Sequence, residues 1–163
     1  ATALLTGIII GKRQFLEKIK RHPLARAVRA DKLCLAGLTA TLQTNSNGQA
    51  EQKIPIWQMI SAKPEELLTR VEQWINYLGE GEVVTTWSTV GGGSLPGEEM
   101  PTFALGVKRQ GLSNLLSTLR KARCPIIARI EEGKAIFDPR TILLEDESEF
   151  LQILQETLNR SKR

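Results

Sequence analysis

Two arginines three residues apart, Arg26 and Arg29, are the side chains of this 163-residue sequence whose type and spacing point most directly to chemistry. On a helical turn such a pair shares one face. Two guanidinium forks on one face suit a phosphate- or sulfate-like oxyanion better than two lysines would. No acidic residue lies within four positions of Arg26, and Asp31 can reach only Arg29. The alternative is that both arginines are paired to acidic groups in a core. They lie in the most basic stretch of the chain. Residues 12–32 hold eight Lys and Arg against Glu17 and Asp31, a net +6, whereas the whole chain carries +4. A local patch of that kind points to an anionic partner. For Lys12 to Arg21 a solvated helix face explains the charge equally well.

The other reactive residue types form no constellation. Cys34 and Cys124 are far apart, neither has a CxxC neighbour, and the single histidine, His22, accompanies neither. Zinc ligands at workable spacing are therefore missing. The cysteines read as two buried, small apolar thiols in a reducing cytoplasm. His22 precedes Pro23 in a basic stretch and the chain has no G-x-S-x-G elbow, so a hydrolase triad is hard to build. The run Gly91-Gly92-Gly93-Ser94-Leu95-Pro96-Gly97-Glu98-Glu99 is the most unusual. It lacks G-K-[ST] and ends in two glutamates, so it is no P-loop. Pro96 and Pro101 rule out a dinucleotide turn opening a helix. A tight strand connection and a functional loop are both open readings.

The elements that must position these residues follow from periodicity. Thr6 to Gly11 reads as a short buried strand. Lys12 to Arg21 reads as a helix, stopped at His22-Pro23 because the residue before proline is pushed out of the α region. Leu24 to Val28 is a new short turn that leaves Leu24 and Val28 to pack. A second helix spans Ala30 to Gln43, and the polar stretch from Thr44 onwards is the clearest boundary. Ile54 to Ile60, with Pro55 inside, is apolar and without a clear period. Pro64-Glu65-Glu66 opens a helix with an apolar face of Leu67, Leu68, Val71, Trp74, Ile75 and Leu78, ended by Gly79. Val83–Val90 and Thr102–Lys108 read as strands, the latter half-buried. Leu112, Leu115, Leu116, Leu119 and Ala122 mark a helix. Ile126–Ile130 and Lys134–Asp138 are strands across Glu131-Glu132-Gly133. Asp146 with Glu149 resembles a capping box for the last helix.

The second half is therefore αββαββα. Its expected fold is α+β, a mostly antiparallel four-stranded sheet covered by helices on one side. Residues 1–44 have too few elements to close a core and read as the end of a larger domain. Residues 45–63 read as a linker and 64–163 as the C-terminal α+β domain. No apolar run approaches the ~18–20 residues that span a bilayer, and no basic n-region marks a signal peptide.

Val90 to Pro101, V-G-G-G-S-L-P-G-E-E-M-P, closely resembles a signature of bacterial selenocysteine synthase, the L-seryl-tRNA(Sec) selenium transferase family. The segments G-I-I-I-G-K, H-P-L-A-R-A-V-R-A-D-K-L, L-A-G-L-T-A-T-L, I-P-I-W-Q-M-I-S, P-E-E-L and R-I-E-E-G-K…D-P-R-T-I-L also resemble it, in order over residues 7–144. The resemblance covers the last third or so of such proteins. It implies a fold-type-I architecture whose large domain ends within residues 1–44, with pyridoxal phosphate as cofactor. The implied reaction converts L-seryl-tRNA(Sec) to L-selenocysteinyl-tRNA(Sec) with selenium from selenophosphate. The cofactor carries the carbanion chemistry. A homo-oligomer is implied as well.

In the family a Schiff-base lysine precedes the G-I-I-x-G-K strand. Here no lysine occurs before Lys12, which matches a surface lysine instead. The resemblance thus implies no catalytic and no cofactor-binding residue in this chain, which is expected to be inactive alone. Arg26 and Arg29 match family arginines associated with the selenium-donor oxyanion. The alternatives are a truncated, non-catalytic binding or oligomerisation module and a fragment of another pyridoxal-phosphate lyase of related fold.

Overall fold

A computed structural model describes residues 7–90 and 97–160, which form two compact units, one ending at Ile54 and the other beginning at Pro55. In the first unit, Gly7 to Lys12 adopts no regular structure, and Ile8, Ile9 and Ile10 are 57%, 65% and 92% exposed. The buried strand expected there does not form. A strand is a paired object, and this unit has no other strand among its described residues. Helix α1 (Arg13–Arg21) ends as expected, with His22 extended at φ −70°, ψ 137°. The His22 imidazole Nδ1 accepts the Leu24 N–H at 3.3 Å, leading into the single turn α2 (Leu24–Ala27).

Helix α3 runs Lys32–Ser46, two residues later at its start and three at its end than periodicity suggests. Asp31 sets the start: its Oδ1 accepts the Cys34 N–H at 2.8 Å. That bond holds the Asp31 carboxyl below its ordinary pKa. The hydroxyls of Thr39, Thr41 and Thr44 donate to the carbonyls four residues back, so these side chains are satisfied within the helix as it runs into the polar stretch. A short helix α4 (Ala50–Lys53) completes the unit. None of α1 to α4 contains a buried residue. Leu24 and Val28, expected to pack, are 63% and 79% exposed.

The second unit opens with α5 (Pro55–Ser61), where proline occupies the first helical turn and its missing N–H costs nothing. Helix α6 (Pro64–Leu78) buries Leu67, Val71 and Trp74 and stops at Gly79, which takes the left-handed conformation at φ 70°. Strands β1 (Glu82–Thr89) and β2 (Glu99–Lys108), helix α7 (Leu112–Arg120), strands β3 (Arg129–Glu131) and β4 (Lys134–Phe137) and helix α8 (Glu147–Arg160) complete the αββαββα order. The sheet is antiparallel throughout, in the order β1-β2-β4-β3. Strand β3 begins at Arg129 instead of Ile126, because the Ile126 side chain enters the core and its N–H goes to the Leu119 carbonyl. Glu132 and Gly133, both at positive φ, make the tight β3–β4 turn. Glu149 pairs with Arg123 at 3.2 Å, so it does not reach back to Asp146 as a capping box requires.

Register fixes the two faces, since directly opposed residues share one. Leu105 opposes Phe137 and Val107 opposes Ala135. These four share one core cluster with Val71 and Trp74 of α6, Leu115 and Leu119 of α7, and Ile153, Leu154 and Leu158 of α8. All three helices therefore lie on that face, as expected. Strand β2 is not half-buried, however: Ala104 to Val107 are all buried. On the second face a Cβ at Gly106 would lie 2.5 Å from Val84 Cγ2, so the side chain of β1 closes directly over the glycine. Side chains of the two outermost strands also meet there. Arg129 of β3 binds Glu131 at 2.6 Å and donates to Thr86 Oγ1 and the Trp87 carbonyl of β1.

Candidate anion-binding site

Arg26 lies in α2 and is exposed; Arg29, also exposed, lies beyond it. Val28 caps the turn at φ −97°, ψ 14°, so helical geometry does not extend to Arg29. The common face expected from the spacing is therefore not supplied by the helix itself. What the structure adds is the fate of the nearby carboxylates. Asp31 is committed to the first turn of α3, and Glu17 pairs with Lys20 at 3.4 Å. Among the described residues neither Arg26 nor Arg29 has a carboxylate partner, and neither is in a core. All eight basic residues between 12 and 32 are exposed. The segment can meet an oxyanion with unneutralised guanidinium groups.

Other arginines differ in kind. Arg70 holds Glu147 and the carbonyls of Pro139 and Ile142; Arg109 holds Glu80 and the Leu158 carbonyl near the end of α8. Arg140 is 5% exposed and donates to the carbonyls of Met59, Ile60, Ala62 and Pro101. Burial pushes its guanidinium below the ordinary pKa, and the Asp138 charge opposes that shift. Asp138 itself accepts from Ser88, Thr102 and the Arg140 N–H. These side chains hold the fold, and sequence spacing marks none of them.

The thiols correct an expectation. Cys34 is half-buried and Cys124 exposed, both free. Cys34 sits in a unit whose helices bury nothing, and Cys124 lies in the irregular segment after α7. Desolvation, and then the Asp31 charge, hold the Cys34 thiol above its ordinary pKa. The glycine run Gly91–Pro96 lies outside the described residues.

Pyridoxal phosphate requires an enclosing pocket, an amine for its aldehyde and a cradle for its phosphate. Lys12 caps α1 from an exposed position, and the described residues of the first unit include no buried side chain. These residues do not fit the cofactor.

A helix-covered antiparallel sheet, preceded in the chain by a basic helical segment with exposed guanidinium groups, defines an α+β protein. The chain belongs to the L-seryl-tRNA selenium transferase family, whose model matches residues 3–143. It is similar to the L-seryl-tRNA(Sec) selenium transferase of Aquifex aeolicus, 37% identical over 160 residues, covering 94% of this chain and 35% of that protein. The transferase of the same name from Geotalea uraniireducens is 38% identical over 159 residues, covering 91% and 34%. That of Caldanaerobacter subterraneus is 36% identical over 158 residues, covering 92% and 34%. The chain spans about a third of the length of the curated relatives it matches. Among the described residues no helix is long and apolar enough to cross a membrane.

Proposed function

We propose that this chain is the C-terminal part of a cytoplasmic, pyridoxal-phosphate-dependent selenium transferase that converts L-seryl-tRNA(Sec) to L-selenocysteinyl-tRNA(Sec), and that Arg26 and Arg29 receive the oxyanion of the selenium donor, selenophosphate. The carrying observation is two exposed arginines whose neighbouring carboxylates are engaged elsewhere, in a chain of this family. Their guanidinium groups would hold the donor and neutralise its charge. Sulfate, thiosulfate and phosphate are the probes. Arg26→Lys and Arg29→Lys keep the charge but lose the bidentate fork, so each should weaken binding by about tenfold, at the low end for charge-assisted bonds. Equal binding by wild type and both variants would refute the assignment.

In this reading residues 1–44 are the end of the large domain, residues 45–63 the connection and residues 64–163 the small domain. Its support is the absence of buried residues in α1 to α4 beside exposed Phe15, Leu33, Leu35 and Leu42. Such apolar surface calls for cover. Binding of seryl-tRNA(Sec) and assembly into a homo-oligomer belong to the same reading of the complete protein. A chain that holds only this end should bind no pyridoxal phosphate covalently and should be inactive alone. Incubation with the cofactor, borohydride fixation and peptide mapping test both points. Stoichiometric label on Lys12 would overturn them.

A further inference from the structure

The second unit contains a cavity of about 320 Å³. Most of its wall is apolar: Pro125 and Ile126 from the segment between α7 and β3, Phe137 from β4, Ile142, and Phe150 from α8. Ile127, which also lines it, is 73% exposed. Leu144, between the lining residues Ile142 and Asp146, is 76% exposed. Among the described residues the charged side chains lining the cavity are two carboxylates, Asp138 and Asp146, with no Lys or Arg. Asp138 is consumed internally by Ser88, Thr102 and the Arg140 N–H. Asp146 and its neighbour Glu145 are exposed. Arg123, beside the lining residue Cys124, is turned to Glu149 and Gln152 and does not neutralise them.

We propose that this cavity docks a basic peptide segment of a partner protein through one apolar anchor residue. The anchor fills the space between Ile126, Ile142 and Phe150, and a Lys or Arg neighbour of the anchor meets Asp146, next to Glu145 in the chain. Burial of the anchor supplies the attraction; the carboxylates select the sign of the partner's charge. The same carboxylates repel nucleic acid, so the basic segment 12–32 and this cavity call for partners of opposite charge.

Cys124 lines the cavity and is exposed, which makes it a reporter; Cys34, in the other unit, is the internal reference. The intact chain is treated with a thiol reagent in the presence of a short peptide carrying one phenylalanine between lysines, or its counterpart with glutamates. Mass spectrometry follows each cysteine. The lysine peptide at saturation should slow Cys124 by about fivefold or more and leave Cys34 unchanged. The glutamate peptide should protect neither, and Asp146→Lys should lose most of the protection. Unchanged Cys124 reactivity would overturn the proposal. So would equal protection by both peptides, protection that survives in Asp146→Lys, or protection by a short RNA.

Discussion

Arg140→Met is expected to destabilise the second unit by about 3–5 kcal/mol, the scale for breaking a buried charged network by removing one partner. The reason lies in what Arg140 satisfies. Met59, Ile60 and Ala62 offer carbonyls at the end of α5, where a helix has no donors of its own left. Pro101 offers a fourth, from β2. Methionine fills the volume of the stem but leaves these part-buried acceptors without a donor, and each one that water cannot reach costs about 1–3 kcal/mol. Arg140→Lys keeps the charge on a single nitrogen, which cannot span four carbonyls, so about half the loss should remain. Urea unfolding of the full chain, followed by tryptophan fluorescence, gives both numbers. A loss below about 1 kcal/mol for Arg140→Met would show that α5 is held by its apolar contacts instead.

Trp74→Ala should cost about 3–5 kcal/mol, as large-to-small changes at buried aromatic sites do. Trp74 is fully buried, its ring centroid 4.8 Å from that of Phe150. Its Nε1–H donates to Glu147 Oε1 at 2.6 Å, and the Arg70 guanidinium lies 5.6 Å from the ring. Truncation opens a cavity where α6 meets α8 and removes one of two donors to Glu147. For a domain of this size the loss corresponds to a fall in Tm of roughly 15 °C or more. Trp74→Phe separates the contributions. It keeps most of the ring and loses only the indole donor, so it should cost about 1–2 kcal/mol. If Trp74→Phe proved as damaging as Trp74→Ala, the Glu147 bond would outweigh the packing.

The face that buries Trp74 was legible from Leu67, Val71 and Trp74 alone, because helical period is a local property. The four strands were legible for the same reason, with the β3–β4 turn marked by Glu132-Gly133. The partner of Trp74 was not. Glu147 stands 73 residues further on and Arg140 binds carbonyls about 80 residues back, separations that no local pattern encodes. The strand expected at Ile8 to Ile10 failed for a related reason: β-branched composition shows propensity, but pairing is decided by a neighbour elsewhere. Of the candidate anion site, residue type and charge were readable. The end of the turn at Val28 and the diversion of Asp31 to the Cys34 N–H were not, since both depend on where α3 starts.

Trp87 and Pro101 stand opposite one another in the β1–β2 ladder, and the carbonyls of both are taken by side chains from outside the pair. Arg129 donates to the Trp87 carbonyl and Arg140 to the carbonyl of Pro101. The Arg129 guanidinium thus occupies an acceptor of the outermost strand β1 that a further strand could otherwise use. The run Val83 to Thr89 is β-branched, aromatic and uncharged, the composition of a segment prone to join foreign sheets. Positive charge held against such an edge is unfavourable for a second strand to displace or bury. It disfavours edge-to-edge pairing at that point of the outermost strand.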